Sequence, residues 1–381
     1  MEKTMKKLQM VDLHTQYERI KPEVDSAIQR VLESAAFING PEVKNFQAEL
    51  EKYLDVKMVI PCANGTDALQ VAMMALGLKP GDEVITADFT YVATAEVIGL
   101  LGLTPVLVDV YPGTFDIDVK AIEKAITPKT KAIVPVHLFG QCADMEAIMA
   151  VAKKHGLFVI EDTAQAIGAE YTFSDGRKRK AGTIGTVGCT SFFPSKNLGC
   201  FGDGGAIFTN DEDLGKKIRM IANHGQSVQY VHDAIGVNSR LDSIQAAVLR
   251  VKLKHLDEYA AARQKAAAYY DKAFSGNASL AVPARVNNST HVFHQYTLVL
   301  NGVDRGKLRE HLTAKEVPCN VYYPIPLHLQ KAFASPRYKA GDFPVTEKLC
   351  ASVISLPIHT EMDNDMLKYI TDSVLEFVNK K

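Results

Sequence analysis

A lysine that closely follows an apolar strand and is followed by glycines is a candidate for covalent chemistry. The segment Cys189-Thr190-Ser191-Phe192-Phe193-Pro194-Ser195-Lys196-Asn197-Leu198-Gly199 supplies one, with Gly202-Asp203-Gly204-Gly205-Ala206 directly behind it. Enclosure disfavours the charged form of an amine, and a less protonated amine can form an imine with an aldehyde. Ser191, on the same segment, can donate to an oxyanion. The bland alternative, a surface lysine in a loop, is far commoner for a lysine taken at random. A second candidate is Asp162, which ends the run LFVIED and so stands at the carboxyl end of a strand. A carboxylate there either meets a cation or caps the turn that begins at Thr163, and the two readings weigh alike from this stretch alone. The third is Asn64-Gly65-Thr66-Asp67-Ala68-Leu69, where a strand gives way to a helix. The N–H groups of Gly65 and Thr66 would open that helix and could meet an anion, although a plain cap is the commoner use of such residues.

The elements that must position these residues follow from periodicity. From about Lys57 to Thr209, short apolar runs (KMVIP, DEVIT, TPVLVDV, KAIVPV, LFVIED) alternate with amphipathic ones (DALQVAMMAL, VKAIEKAI, MEAIMAVAKK). Strands separated by helix-length crossovers make a largely parallel, doubly covered sheet, and such α/β sheets bind ligands beyond the carboxyl ends of their strands. Between Leu241 and Phe274 the apolar residues recur at helical spacing without Gly or Pro, which predicts one long helix or two joined ones. An alternating segment, VFHQYTLVL, then precedes helices starting near Arg305 and Asn364. The predicted organisation is a large domain over 14–255 and a smaller α+β C-terminal domain over 256–381, joined by the N-terminal segment 1–13.

Composition excludes several function classes. The chain has 381 residues, 43 basic and 44 acidic, for a formal net charge of -1. No charge excess favours nucleic acid or an anionic membrane, so any anion must be met locally. The 6 cysteines include no C-x-x-C pair and read as buried free thiols rather than disulfides or a zinc cluster. His291 and His294 fall on opposite faces of an extended segment, which does not suit a metal pair, and no metal is expected. His137 reads as a hydrogen-bonded histidine at a strand end. The charged start and the lack of any long apolar run predict a cytoplasmic protein.

The ordered set NGTDAL (64–69), TYVAT (90–94), HLFGQ (137–141), EDTAQAIGA (161–169), SFFPSKNLG (191–199), GDGGAIFTND (202–211), NHGQ (223–226), GVNSRLDSIQAA (236–247) and YYPIPLH (322–328) resembles the sugar aminotransferases of the DegT/DnrJ/EryC1/StrS family, fold-type I enzymes dependent on pyridoxal 5′-phosphate. The resemblance implies that Gly65 and Thr66, with Ser191, hold the cofactor phosphate and that Tyr91 stacks on the pyridine ring. It implies further that Asp162 pairs with the protonated ring nitrogen, that Gln165 lies near the ring hydroxyl, and that Lys196 carries the cofactor as a Schiff base. Asn238 would reach the phosphate from the neighbouring subunit of a homodimer with shared active sites.

Within the family, the pattern is most similar to enzymes that aminate C3 of a UDP-linked 2-acetamido-3-keto uronic acid for surface polysaccharides such as O-antigen, with L-glutamate as the expected donor. Arg240, Tyr322, Tyr323 and His328 are the implied substrate contacts. Tyr322 stands where those enzymes often have histidine. The alternative substrate is a dTDP-linked 3-keto or 4-keto deoxyhexose. The related dehydratases resemble this pattern with histidine in place of the lysine, and Lys196 speaks against that chemistry. A non-catalytic sensor on the same scaffold is the reading from a different class.

Overall fold

The computed structural model describes residues 7 to 380; residues 1–6 of the N-terminal segment read above, and Lys381, lie outside the described residues. Runs rich in β-branched and other apolar residues form strands covered on both faces. These are β1 (Met58–Cys62), β2 (Glu83–Ala87), β3 (Thr104–Val108), β4 (Thr130–Val134) and β5 (Phe158–Asp162). A small antiparallel hairpin, β6 (Glu170–Thr172) and β7 (Lys178–Lys180), stands apart before β8 (Val187–Ser191) and β9 (Gly205–Thr209) return to the sheet. The sheet order is β1-β9-β8-β5-β4-β2-β3. Strand β9 is antiparallel to β1 and β8 while the remaining neighbour pairs are parallel, so every strand except β9 points the same way.

Alternation along the strands divides the core into two layers. Ile85, Ile133 and Val159 pack with Ile122 and Ile148 on one face, while their neighbours Val84, Ala132 and Ile160 pack with Leu69, Val71 and Ile218 on the other. Several of the helices that flank the sheet start on a capping side chain. Asn64 caps Gly65–Ala75, Asp144 caps Met145–His155 and Asp211 caps Glu212–Ala222.

Two helices, Ser243–Leu253 and Leu256–Phe274, occupy the predicted helical stretch, and the break falls at Lys254-His255. An exposed hairpin of β10 (Gln226–Val228) and β11 (Val231–His232) precedes them, with Tyr230 82% exposed at its turn. Beyond them, β12 (Leu280–Ala281), β13 (Tyr296–Leu300) and β14 (Val353–Leu356) form an antiparallel sheet. It shares a core of Tyr270, Phe274, Leu298, Leu308, Leu356 and Ile370 with its helices, and Leu8 packs into the same core. Five cysteines are buried and Cys319 is half-buried, all unpaired. No helix among the described residues is long and apolar enough to cross a membrane.

Candidate active site

Because β1, β2, β5 and β8 share one direction, the turns after Cys62, Ala87, Asp162 and Ser191 gather at one edge of the sheet, as crevice sites of parallel sheets require. At β1 the side chain of Asn64 accepts from Asp67 N–H (2.8 Å) and its carbonyl accepts from Ala68 N–H. The N–H groups of Gly65 and Thr66 are left without an intrahelical acceptor at the positive end of the helix. A Cβ on Gly65 would lie 2.6 Å from Ser191 Cβ, so only glycine lets this backbone approach the serine. The cap and the anion cradle, weighed above as alternatives, are thus both present in one turn.

Lys196 is half-buried, and desolvation of its amine lowers the pKa to about 8 although the neighbouring Asp162 carboxylate pulls it up. An amine in that range is neutral often enough near neutral pH to attack a carbonyl. Asp162 is buried and held at both oxygens. Thr94 Oγ1 donates to Oδ2 (2.8 Å) and Ala164 N–H donates to Oδ1 (3.1 Å). The carboxylate therefore also caps the following turn, so the two readings of Asp162 are again compatible.

Gln165 is fixed at both ends: Phe139 N–H donates to Oε1 (2.7 Å) and Nε2 donates to the Tyr323 hydroxyl (3.0 Å). Phe139 adopts φ 59°, in the left-handed region, and so aims its N–H at that amide. Tyr91 is 57% exposed, and its ring centroid stands 6.2 Å from that of Tyr323. Burial raises the Tyr323 phenol above its ordinary range, so it remains a neutral donor or acceptor. Tyr322 is half-buried, its ring 6.0 Å from the Tyr323 ring.

The expectation for His328 requires correction. Its side chain is fully buried, Nδ1 lies 2.6 Å from Asp88 Oδ2, and its backbone N–H donates to Asp88 Oδ1 (2.7 Å). Phe343 and Tyr338 pack edge-on against the ring. Burial lifts the Asp88 carboxyl to about 6 in spite of the His328 contacts that lower it. The pair ties the loop after Tyr323 to the end of β2, three residues before Tyr91; it positions two aromatic residues and has no open face for substrate. His328→Ala is accordingly expected to cost about 3–5 kcal/mol of stability by leaving Asp88 buried and alone. Urea unfolding checks this; an unchanged midpoint with only a raised substrate KM would restore the contact role.

Asn238 is exposed and pairs through its backbone with Asn223; Arg240 is half-buried, with Nη1 3.5 Å from Asn223 Oδ1. Among the described residues neither side chain is hydrogen-bonded to Gly65, Thr66, Ser191 or Lys196. Between them, Ser239 Oγ accepts from Ala63 N–H (3.1 Å), joining this segment to the turn before Gly65.

Three functional supports escaped the sequence reading. Thr94 was legible only as part of TYVAT. Glu161, beside Asp162, is fully buried and accepts from His137 Nε2 (2.9 Å) and from the N–H groups of Gly182 (2.9 Å), Ile184 (2.7 Å) and Gly185 (2.5 Å). The third, Lys252, is buried and donates to Gly199 O (2.8 Å), holding the segment that carries Lys196. His137 Nδ1 accepts from Ala143 N–H (3.1 Å), which assigns the proton to Nε2 and bears out His137 as a hydrogen-bonded histidine at a strand end.

These residues fit pyridoxal 5′-phosphate. The Gly65 turn with open N–H groups suits a phosphate, the Tyr91 ring is accessible for stacking, Asp162 is an oriented carboxylate, and Lys196 is an amine of lowered pKa. The family model for the DegT/DnrJ/EryC1/StrS aminotransferases matches residues 18–375. The UDP-2-acetamido-2-deoxy-3-oxo-D-glucuronate aminotransferase of Pseudomonas aeruginosa is 49% identical over 95% of this chain and 98% of its own. A pleiotropic regulatory protein of Geobacillus stearothermophilus is 46% identical over 97% of this chain and 98% of its own. Among solved structures, a DegT DnrJ EryC1 StrS aminotransferase from Brucella abortus superimposes with a TM-score of 0.92 at 40% identity, covering 98% of this chain and all of that one.

Proposed function

The chain belongs to the DegT/DnrJ/EryC1/StrS aminotransferase family, and from that premise we propose that it aminates the 3-keto group of a UDP-linked 2-acetamido uronic acid, with L-glutamate as donor. The coarser activity is plain: it is a pyridoxal-phosphate-dependent aminotransferase for nucleotide-linked keto sugars. The uronate reading is carried by Arg240. Among the described residues no carboxylate lies within ion-pair distance of its guanidinium, whose one hydrogen bond is the long contact to Asn223. A half-buried guanidinium so placed is available to grip a substrate carboxylate with two parallel hydrogen bonds. The 49% identity to a uronate aminotransferase supports the same choice.

When bound, the cofactor would supply an aldehyde that condenses with amines, so that its carbon can carry the amino group, and a ring that accepts electron density from the reacting carbon. The chain's residues do the rest in this proposal. Gly65 and Thr66 N–H, with the Ser191 hydroxyl, bind the phosphate, and Asn238 adds an amide from the neighbouring subunit of a homodimer. Asp162 keeps a proton on the ring nitrogen. Lys196 Nζ would hold the cofactor and would take up and return the proton at the substrate's reacting carbon. Gln165 and Tyr323, hydrogen-bonded to each other, would help Tyr91 hold the ring, and Tyr322 would contact the sugar.

The test is the ratio of turnover efficiencies for the 3-keto uronate and the matching neutral hexose. Arg240→Met should lose roughly ten- to a hundredfold of the preference for the uronate, the worth of a charge-assisted contact in a desolvated site. A ratio unchanged by the substitution, or a wild type that prefers a dTDP-linked deoxy sugar, would replace the uronate with a neutral keto sugar.

A further inference from the structure

After β4 the chain makes a buried turn through His137, Leu138, Phe139 and Gly140. Phe139 holds φ 59°, uncommon for a residue of its size, and Gly140 holds φ 113°, where a Cβ would lie 2.9 Å from Phe293 N. Backbone in such conformations persists only where its surroundings fix it, and it gathers at functional sites. Here hydrogen bonds do the fixing. His137 N–H donates to Asp162 O (3.0 Å), His137 Nε2 donates to Glu161 (2.9 Å), and His137 Nδ1 accepts from Ala143 N–H (3.1 Å). On the far side Val292 N–H donates to Gly140 O (2.8 Å), and Val292 O accepts from Asn197 Nδ2 (2.8 Å), next to Lys196. The turn is thus tied to the backbone of Asp162 and to the segment of Lys196, and it also reaches Gln165.

What the turn presents to Gln165 is the N–H of Phe139. A backbone N–H can only donate, so of the two ends of the Gln165 amide it selects the oxygen (2.7 Å). The nitrogen is then directed at Tyr323, whose hydroxyl accepts (3.0 Å). Two hydrogens stay uncommitted in this chain: the second on Gln165 Nε2, and that of the Tyr323 hydroxyl, which burial keeps neutral. We propose that His137 and Glu161 are positioning residues for the reaction: through Phe139 N–H they set the direction of this hydrogen-bond chain, so that Gln165 offers a donor to the hydroxyl oxygen of the cofactor ring. The inference rests on the placing of Gln165 beside the ring in the reading above. With the amide reversed, its own oxygen would face the ring oxygen, and an attraction would become a repulsion. The side chains of His137 and Glu161 have no exposed surface, so they act through the turn alone.

A double-mutant cycle between His137 and Gln165 tests this, read on the affinity of the apoenzyme for pyridoxal 5′-phosphate and on the visible circular dichroism of the bound cofactor, which reports how the ring is held. His137→Asn keeps an acceptor for Ala143 N–H and loses the donor to Glu161, which retains its backbone donors at Gly182, Ile184 and Gly185, so the fold should hold. His137→Gln keeps the donor instead. His137→Asn should weaken cofactor binding by about fivefold to tenfold, alter the visible circular dichroism, and lower kcat by a similar factor with the KM for the keto sugar unchanged. His137→Gln should recover most of that loss. In a Gln165→Ala background the effect of His137→Asn should vanish, because no amide is left to orient. Should His137→Asn fail to fold, the cycle is run with His137→Gln, whose smaller loss must vanish in the same background. Additive effects in a cycle where Gln165→Ala itself weakens cofactor binding overturn the proposal and leave Gln165 beside the ring. A Gln165→Ala variant that binds the cofactor as wild type does removes Gln165 from the ring, and the proposal falls with that reading.

Discussion

Lys196→Ala is expected to reduce turnover by at least about a hundred- to ten-thousandfold, the range that a positioned acid–base group contributes, with loss of covalent cofactor attachment added to it. Desolvation brings this amine to about 8, and Asp162 keeps it from falling further. Another buried lysine of similar pKa, Lys252, is committed to Gly199 O and cannot stand in. Borohydride reduction of the loaded wild type, followed by peptide mapping, should label Lys196; label at Lys252 or elsewhere would sink the assignment. The lowered pKa also sets a pH dependence. Since the neutral amine is the nucleophile, the rate at which apoenzyme takes up the cofactor should rise as pH increases through about 8 and level off above it. A variant that retains more than about a tenth of wild-type turnover would leave Lys196 without the double role of anchor and proton carrier.

What the sequence made legible is what local order encodes. Lys196, Asp162 and Gly65 each sit at the junction of an apolar run with a polar turn, and the parallel alternation of strand and helix requires those junctions to share one edge of the sheet. The helices near Arg305 and Asn364 were likewise readable, because an Asp cap precedes each amphipathic run. Contacts that depend on tertiary approach were not readable. Thr94 reaches Asp162 from another crossover, and Tyr323 reaches Gln165 from the C-terminal part of the chain. His328 stood in a motif that suggested substrate contact, yet its ring is buried against Asp88 from the far end of the sequence. The balanced net charge was informative about the whole surface and silent about its distribution. It could not reveal that Lys44, Lys217, Arg219 and Arg240 converge on one cavity while Glu42 and Glu49 turn to Arg250.

The supports around Asp162 make its role separable from its packing. Both carboxylate oxygens already accept a hydrogen bond, from Thr94 and Ala164, so Asp162→Asn keeps the size of the side chain and leaves one oxygen to accept. The Thr94 hydroxyl can rotate to accept from the new amide nitrogen. The fold should therefore survive, with an unfolding midpoint close to that of wild type. Catalysis should not survive, because an amide cannot hold a proton on the ring nitrogen, and the ring then loses its capacity to accept electron density. A fall in kcat of roughly a hundredfold or more is expected, with little change in the KM for either substrate. A second readout separates this electrostatic role from mere misplacement. Removing the Asp162 charge withdraws the interaction that holds up the Lys196 pKa, so the midpoint for cofactor uptake should move below about 8. Thr94→Val, which keeps the charge and removes one orienting donor, should leave that midpoint in place and lower kcat by only about tenfold. If Asp162→Asn and Thr94→Val behave alike in both measurements, Asp162 serves the site by orientation, and its charge is not what drives the reaction.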